Sequence, residues 1–293
     1  MAPEVQLKVN LFIPGFGKSG TSSLHVYLNQ HPDISMSVIK EPHFFSRRQS
    51  FVRGFEHYNT LFESSSNKKY FGESSTTYIG SKIAIDRIKE YVKNPKFIVL
   101  VRNPIDRIYS HYTWLYSLGL ETLPLREAVL KDMDTVFDAD VDIEGNFKNY
   151  LFFSKYGTLL SSYISNFGAE NIKIITTESL NKDVIGTLNE CFEFLKLEKL
   201  TSIKEERQNI TSLDKIDKTP MFVRKGLSYI NDNVGARNKF DKVVHKLFIV
   251  KKKQKPLSGD DRIWLKGILN EEIKELKQIT KMKFAEWSEF DSI

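Results

Sequence analysis

The chain has 293 residues, 41% hydrophobic and 27% charged, which suits one α/β domain with a large core, or two small domains, and argues against a disordered or fibrous protein. Its one cysteine, Cys191, excludes an intrachain disulfide framework; with no signal-like opening segment and no apolar run near the ~18 residues of a membrane span, a cytoplasmic protein without membrane insertion is expected. A formal net charge of +6 and a pI near 9.1 favour anionic ligands weakly.

Val9–Ile13 reads as a short buried strand and is followed at once by Pro14-Gly-Phe-Gly-Lys-Ser-Gly20. Leu24, Tyr27, Leu28 and His31 then mark one face of a helix at i, i+3, i+4, i+7 spacing. Phe97–Val101 is continuously apolar, as a strand covered on both faces should be. Arg102 follows it; Asn103 is a good N-cap and Pro104 suits the first helical position, with Ile105, Ile108, Tyr109 and Tyr112 expected inward. From near Ser154 a helix carries Tyr156, Leu159, Leu160, Tyr163, Ile164 and Phe167 on one face, and Gly168 ends it. Ile172–Thr176 is the next strand, and Val184, Leu188, Cys191, Phe192 and Leu195 line another helix, with Cys191 as a small buried hydrophobe. The stretch from about 200 to 255 has no clear period and reads as a helical excursion or a flap. A last helix from near Ser258 offers Ile263, Leu265, Leu269, Ile273 and Leu276 to the core. Alternating strands and helices predict an α/β fold: a P-loop-like parallel sheet with helices on both faces and right-handed crossovers, in a single domain over 1–293.

A Gly-rich loop between a buried strand and a helix is an anion site, because its backbone N–H groups and the helix dipole point at the ligand. Lys18 adds a full charge, and Gly17, Ser19, Gly20, Thr21, Ser22 and Ser23 add small donors. Gly17-Lys18-Ser19 fits the end of the nucleotide-triphosphate loop pattern, yet the first glycine of that pattern falls on Phe12. A magnesium-dependent nucleotide enzyme usually carries an acidic residue near a strand end. Here the second strand ends with Arg102, and two helical turns on sits Ser110, a pair suited to a further phosphate.

Three segments together resemble the sulfotransferase superfamily that uses 3′-phosphoadenosine 5′-phosphosulfate (PAPS): Gly17–Leu24, Val101–Ser110 and Lys40-Glu-Pro-His-Phe-Phe45. The third is closer in motif to the glycosaminoglycan-type and bacterial branch. Softer matches are Gly72–Tyr78, Ile174–Leu180 and Pro256–Trp287. The resemblance implies that Lys18 touches the bridging oxygen and phosphate of the donor, that the loop through Ser23 binds the 5′-phosphate, and that Arg102 and Ser110 bind the 3′-phosphate. It puts Glu41 at the catalytic base, with Lys40 and His43 beside it; His43 is the competing base. A burial-raised pKa would suit Glu41, and Lys40 opposes that rise. Ser74 stands where related enzymes often carry a lysine. A late basic loop over the nucleotide is implied, at Arg224–Gly226 or at Lys251–Lys255. The implied reaction needs no metal, and its partner is a small-molecule or glycan acceptor. Open alternatives are an ATP-dependent small-molecule kinase and a non-enzymatic nucleotide- or polyanion-binding module. Nucleic acid is the least supported partner, since no nucleic-acid-binding signature is found.

Overall fold

The computed structural model describes residues 6–63, 67–133, 148–204, 215–217, 249–251 and 256–291. Five strands form one parallel sheet: β1 (Leu11–Phe12), β2 (Ile34–Met36), β3 (Tyr70–Glu73), β4 (Lys96–Val101) and β5 (Ile172–Thr176), in the order β2-β3-β1-β4-β5. Leu11 lies in register with Gly72 on one side and Lys96 on the other, and Val101 with Thr176. Every pairing in this sheet is parallel, so all five strands point their carboxyl ends to one edge. From β1 the chain goes first to the edge strand β2, returns to β3 beside β1, and then crosses to β4 and β5 on the other side. Beside that reversal of direction, at the strand carboxyl ends, a parallel sheet opens a crevice for ligands.

Helices cover both faces, as the apolar strands require. Phe97, Val99 and Val101 of β4 face a core shared with α4 (Lys82–Tyr91), α5 (Pro104–Ser117), α7 (Tyr156–Phe167) and α10 (Gly259–Thr280). Ile98 and Leu100, one residue out of phase, face the second core with α1 (Thr21–Leu28), α8 (Thr177–Lys182) and α9 (Val184–Phe194). Cys191 sits in that second core, fully buried. Short helices α2 (Arg48–Phe51), α3 (Gly54–Asn59) and α6 (Leu125–Asp132) complete the layers, and β6 (Lys215–Asp217) pairs antiparallel with β7 (Ile249–Lys251). Apart from these two strands, the stretch 205–255 lies outside the described residues.

Local chemistry accounts for the element ends. The Asn103 side chain accepts from Ile105 N and Asp106 N, and Pro104 opens α5. Gly168 closes α7 at φ 82°, where a side chain would be strained. Ser258 caps α10 by accepting from Asp261 N.

Some expectations shift. The first strand is shorter than Val9–Ile13, although Val9 and Ile13 are buried as expected. His31 lies beyond the end of α1, buried against Phe192 at 4.6 Å. Tyr109 and Tyr112 are only half-buried; the inward face of α5 instead carries Ile105, Arg107, Ile108, His111 and Leu115. Ile263 is 72% exposed, because it sits about 200° round the helix from Leu265 and its row Leu269, Ile273 and Leu276.

Candidate active site

Each of the five strands delivers part of one site from its carboxyl end. The loop 14–20 follows β1, Lys40–His43 follow β2, Ser74–Thr77 follow β3, Arg102 follows β4 and Thr177 follows β5.

The loop is bound to the sheet through its carbonyls. Arg107 Nη1 donates to Gly17 O (3.4 Å), Arg102 Nη1 to Lys18 O (3.3 Å) and Thr177 Oγ1 to Ser19 O (2.5 Å). Lys18 takes φ 71°, a left-handed conformation that costs a non-glycine residue about 1 kcal/mol or more, and Gly20 takes φ 94° at the N-cap of α1. Such strain concentrates where a loop is shaped for a ligand. Two amides of the expected cradle are paired locally: Ser19 N donates to Phe16 O and Ser23 N, in the first turn of α1, to Gly20 O. The Ser19 hydroxyl is buried beside the Tyr156 hydroxyl. Thr21 is buried at the helix start, Ser22 is half-buried, and Gly20 and Ser23 border a small cavity of about 40 Å³ with Thr177 and Asn181.

Three cations surround this loop. Lys18 Nζ lies 4.9 Å from the Trp114 ring centroid, and Trp114 stands one turn beyond Ser110 on α5, so the two share a face. Burial, then the charges of Arg102 and Arg107, bring the Lys18 pKa down from 10.5 to about 8. Arg107 is almost fully buried, with its guanidinium spread over Ser154 Oγ, Gly17 O and Tyr150 O. Burial above all brings its pKa down to about 10. Among the described residues, Lys18, Arg102 and Arg107 have no carboxylate within ion-pair distance, whereas Arg262, Arg126 and Lys173 do. Lys18 is repelled by Arg102 and Arg107, and although Asp132 offsets part of the Arg107 charge, such a cluster of cations around strained backbone is a site that an anion stabilises.

The loop joins a second cluster through Thr76. A methyl group added to Gly17 would lie 3.7 Å from Thr76 Oγ1, and Thr76 donates both its N–H (2.9 Å) and its Oγ1–H (2.7 Å) to Glu41 Oε2. Lys40 Nζ holds Glu41 Oε1 at 3.0 Å, and His43 Nε2 stands 3.6 Å from Oε2. Burial pushes the Glu41 carboxyl up, but Lys40, His43 and Thr76 together win, and its pKa lies below the ordinary carboxylate value. The competition between burial and Lys40 is thus decided for the ionised form.

His43 is brought down to about 4, mainly by burial, and is neutral at pH 7. Its Nδ1 meets Thr77 Oγ1 at 2.9 Å. A neutral ring facing a carboxylate puts its single proton on the nitrogen nearest that charge, Nε2, so Nδ1 accepts from Thr77. Ser74 spends its hydroxyl on His25 Nδ1 (2.8 Å), while His25 Nε2 meets Ser37 O (3.1 Å). A carbonyl only accepts, so His25 is neutral with its proton on Nε2, consistent with a pKa brought down to about 4 chiefly by burial.

The structure therefore gathers Lys18, the loop glycines and Arg102 with Lys40, Glu41 and His43. Ser110 faces the same side of α5 as Trp114. Arg224–Gly226 and Lys252–Lys255 lie outside the described residues, and only the strand position of Lys251 is given. Sequence reasoning missed Arg107, Thr76 and Thr177. Arg107 carried a signal, since it falls on the inward face of α5 beside Ile108. Thr76 and Thr177 fell within the softer matches Gly72–Tyr78 and Ile174–Leu180 but were not singled out, because their partners are set by the folding of distant strands.

Residues 8–288 match the family described as the sulfotransferase domain. Heparan sulfate glucosamine 3-O-sulfotransferase 3B1 of Mus musculus is 28% identical over 197 residues, covering 66% of this chain and 47% of that protein. Membrane-associated sulfotransferase kil1 of Dictyostelium discoideum is 36% identical over 106 residues, 35% of this chain and 22% of that one. The chain spans about half the length or less of these relatives. Among solved structures, a sulfotransferase from Alicyclobacillus acidocaldarius superposes with a TM-score of 0.68 at 22% identity, over 96% of this chain and 98% of that one, which is likeness of fold.

Proposed function

The chain belongs to the sulfotransferase domain family, and from that membership we propose that it moves a sulfuryl group from PAPS to a hydroxyl or amine of a carbohydrate or small-molecule acceptor by in-line transfer. The observation that carries the reading is the trio of Lys18, Arg102 and Arg107 gathered around one loop, with an ionised carboxylate, Glu41, joined to that loop through Thr76. A donor with separated anionic groups fits this set. Lys18 and the loop through Ser23 would hold the 5′-phosphosulfate, and Arg102 with Ser110 the 3′-phosphate.

The chemistry asks little covalent work of the protein. The sulfur–oxygen bond to the phosphate breaks, a bond to the acceptor oxygen or nitrogen forms, and the acceptor proton must leave. Positioning and charge stabilisation dominate, as in phosphoryl transfer. Lys18 would offset charge growing on the phosphate side. Glu41, ionised at neutral pH, would take the acceptor proton. His43, neutral and with Nε2–H toward Glu41, acts in this reading as its orienting donor rather than as the base. Relatives named for heparan sulfate glucosamine favour a carbohydrate hydroxyl as acceptor.

The donor is tested by thermal shift of the purified chain with 3′-phosphoadenosine 5′-phosphate (PAP), AMP, or ATP with magnesium. A ligand stabilises what it binds, so PAP raises the melting temperature most. Equal shifts with PAP and AMP would overturn the 3′-phosphate assignment; a shift with ATP and magnesium alone would favour the kinase reading.

A further inference from the structure

Arg102 is carried on a peptide that is held on both sides. Its carbonyl accepts from Tyr156 OH at 3.0 Å, and the next amide, Asn103 N, donates to Glu178 Oε1 at 2.9 Å. Asn103 is buried, and its side chain is divided between two jobs. Oδ1 caps α5, and Nδ2 donates to Glu289 Oε2 at 2.9 Å. The other Glu289 oxygen is bound by Arg262 Nη1, and Arg262 Nη2 reaches back to Asp106 Oδ1, on the first turn of α5, at 2.5 Å. The four side chains form a closed ring, Asn103–Glu289–Arg262–Asp106, that begins and ends at the helix start following Arg102.

We propose that Glu289 and Arg262 are positioning residues for the 3′-phosphate site, holding the Arg102–Asn103 peptide from the 282–291 segment and the first turn of α10. The inference rests on the donor reading above.

Docking of the 282–291 segment is already accounted for without this ring. Phe284, Trp287 and Phe290 are buried, Lys277 Nζ donates to Phe290 O at 2.6 Å, and Ser179 Oγ donates to Glu286 Oε1 at 3.0 Å. What the Glu289 carboxylate adds is orientation of the Asn103 amide, and so of the turn that aims Arg102. Arg262 has a second effect through charge. It pairs with both Glu289 and Asp106 and so offsets one of the two negative charges that would otherwise stand beside a turn meant to receive a phosphate.

The experiment compares Kd for PAP and for AMP in the wild type and in Glu289→Ala, Arg262→Ala, Glu289→Gln and Arg262→Lys, with KM for donor and acceptor measured separately. In both alanine variants the PAP affinity falls about tenfold, as for loss of one charge-assisted hydrogen bond. AMP binding and the acceptor KM hold, and kcat at saturating donor changes little, so the preference for the bisphosphate shrinks. Glu289→Gln, which keeps an acceptor oxygen for Asn103, recovers most of that preference. Alanine variants that keep the wild-type preference, or that weaken AMP and PAP equally, overturn the inference. Should the alanine variants not fold, Arg262→Lys supplies the reading: it keeps charge but not the fork geometry, and an unchanged preference in it overturns the inference. A wild-type chain without any bisphosphate preference overturns the donor reading itself, which separates the two failures.

Discussion

Lys18 is the residue on which local strain, burial and charge converge. Its pKa near 8 means that an anion beside it, which favours the ammonium form, must bring a proton with it at higher pH. Affinity for PAP is therefore flat below pH 8 and falls above it, approaching about tenfold per pH unit. Titration calorimetry from pH 7 to 9.5 checks this, and Lys18→Met flattens the profile as well as weakening binding. Glu41 and His43 separate by a different measurement. Glu41→Gln binds PAP normally but loses turnover by roughly 10²–10⁴-fold, the range of a general base. His43→Gln, which still offers an N–H to Glu41, stays within about tenfold of the wild type. The reverse order would make His43 the base. The types and spacing of Lys18, Glu41 and Arg102 were legible because each sits directly after an apolar strand or within a short motif. The protonation of Glu41 was not, since it is decided by burial against Lys40, His43 and Thr76, and both the burial and Thr76, thirty-five positions away, come only with the fold.

At the scale of elements, the α7–α10 contact is set by a missing side chain. A methyl group on Gly157 would stand 2.6 Å from Glu275 Cβ and 2.7 Å from Glu272 O, so the helices meet at backbone distance. Around this contact Thr158 Oγ1 donates to Glu272 (2.8 Å) and Ser161 Oγ to Glu275 (2.9 Å). Gly157→Ala forces α10 outward and lowers unfolding stability by about 1–3 kcal/mol in urea titration. Gly267→Ala, in the middle of α10 with open space around it, raises stability by about 1 kcal/mol. Helices α5, α7, α9 and α10 and strands β4 and β5 were readable from periodicity, caps and a C-terminal glycine. Strands β2 and β3 were not. Each is short, and Gly72 in β3 packs against Met36 of β2, a close approach that no local pattern announces. Ile263 shows the limit of periodicity: an apolar side chain at the wrong angle remained on the surface.

Across the whole molecule, pH stability depends on a buried carboxyl beneath the site. Glu73 is fully buried, and Tyr58 OH (2.9 Å) and Tyr78 OH (2.5 Å) both donate to its Oε1. Tyr78 OH also accepts from Phe45 N (3.0 Å), which ties the carboxyl to the chain just beyond His43. Burial outweighs these donors and pushes the Glu73 pKa from 4.5 up to about 7. Between those values the folded chain keeps a proton that the unfolded chain has released. The contribution is therefore complete below pH 4.5 and is lost as pH rises through 7, a span on the order of 3 kcal/mol. Glu73→Gln removes this slope, so the difference in stability between variant and wild type grows in the variant's favour from pH 4.5 to 7. A parallel pH dependence in the two proteins would show that Glu73 is ionised throughout.

The sequence by itself determined the α/β class, the strand–loop–helix start, the arginine at the end of β4 and the family resemblance, because these rest on contiguous residues whose spacing and chemistry speak locally. Only the tertiary structure decided which groups stand together: Arg107 beneath the loop, Thr76 between the loop and Glu41, Glu289 on Asn103. The physical reason is the parallel sheet. It brings five strand ends from across the chain to one edge, so partners and protonation states are set by neighbours that no sequence interval connects.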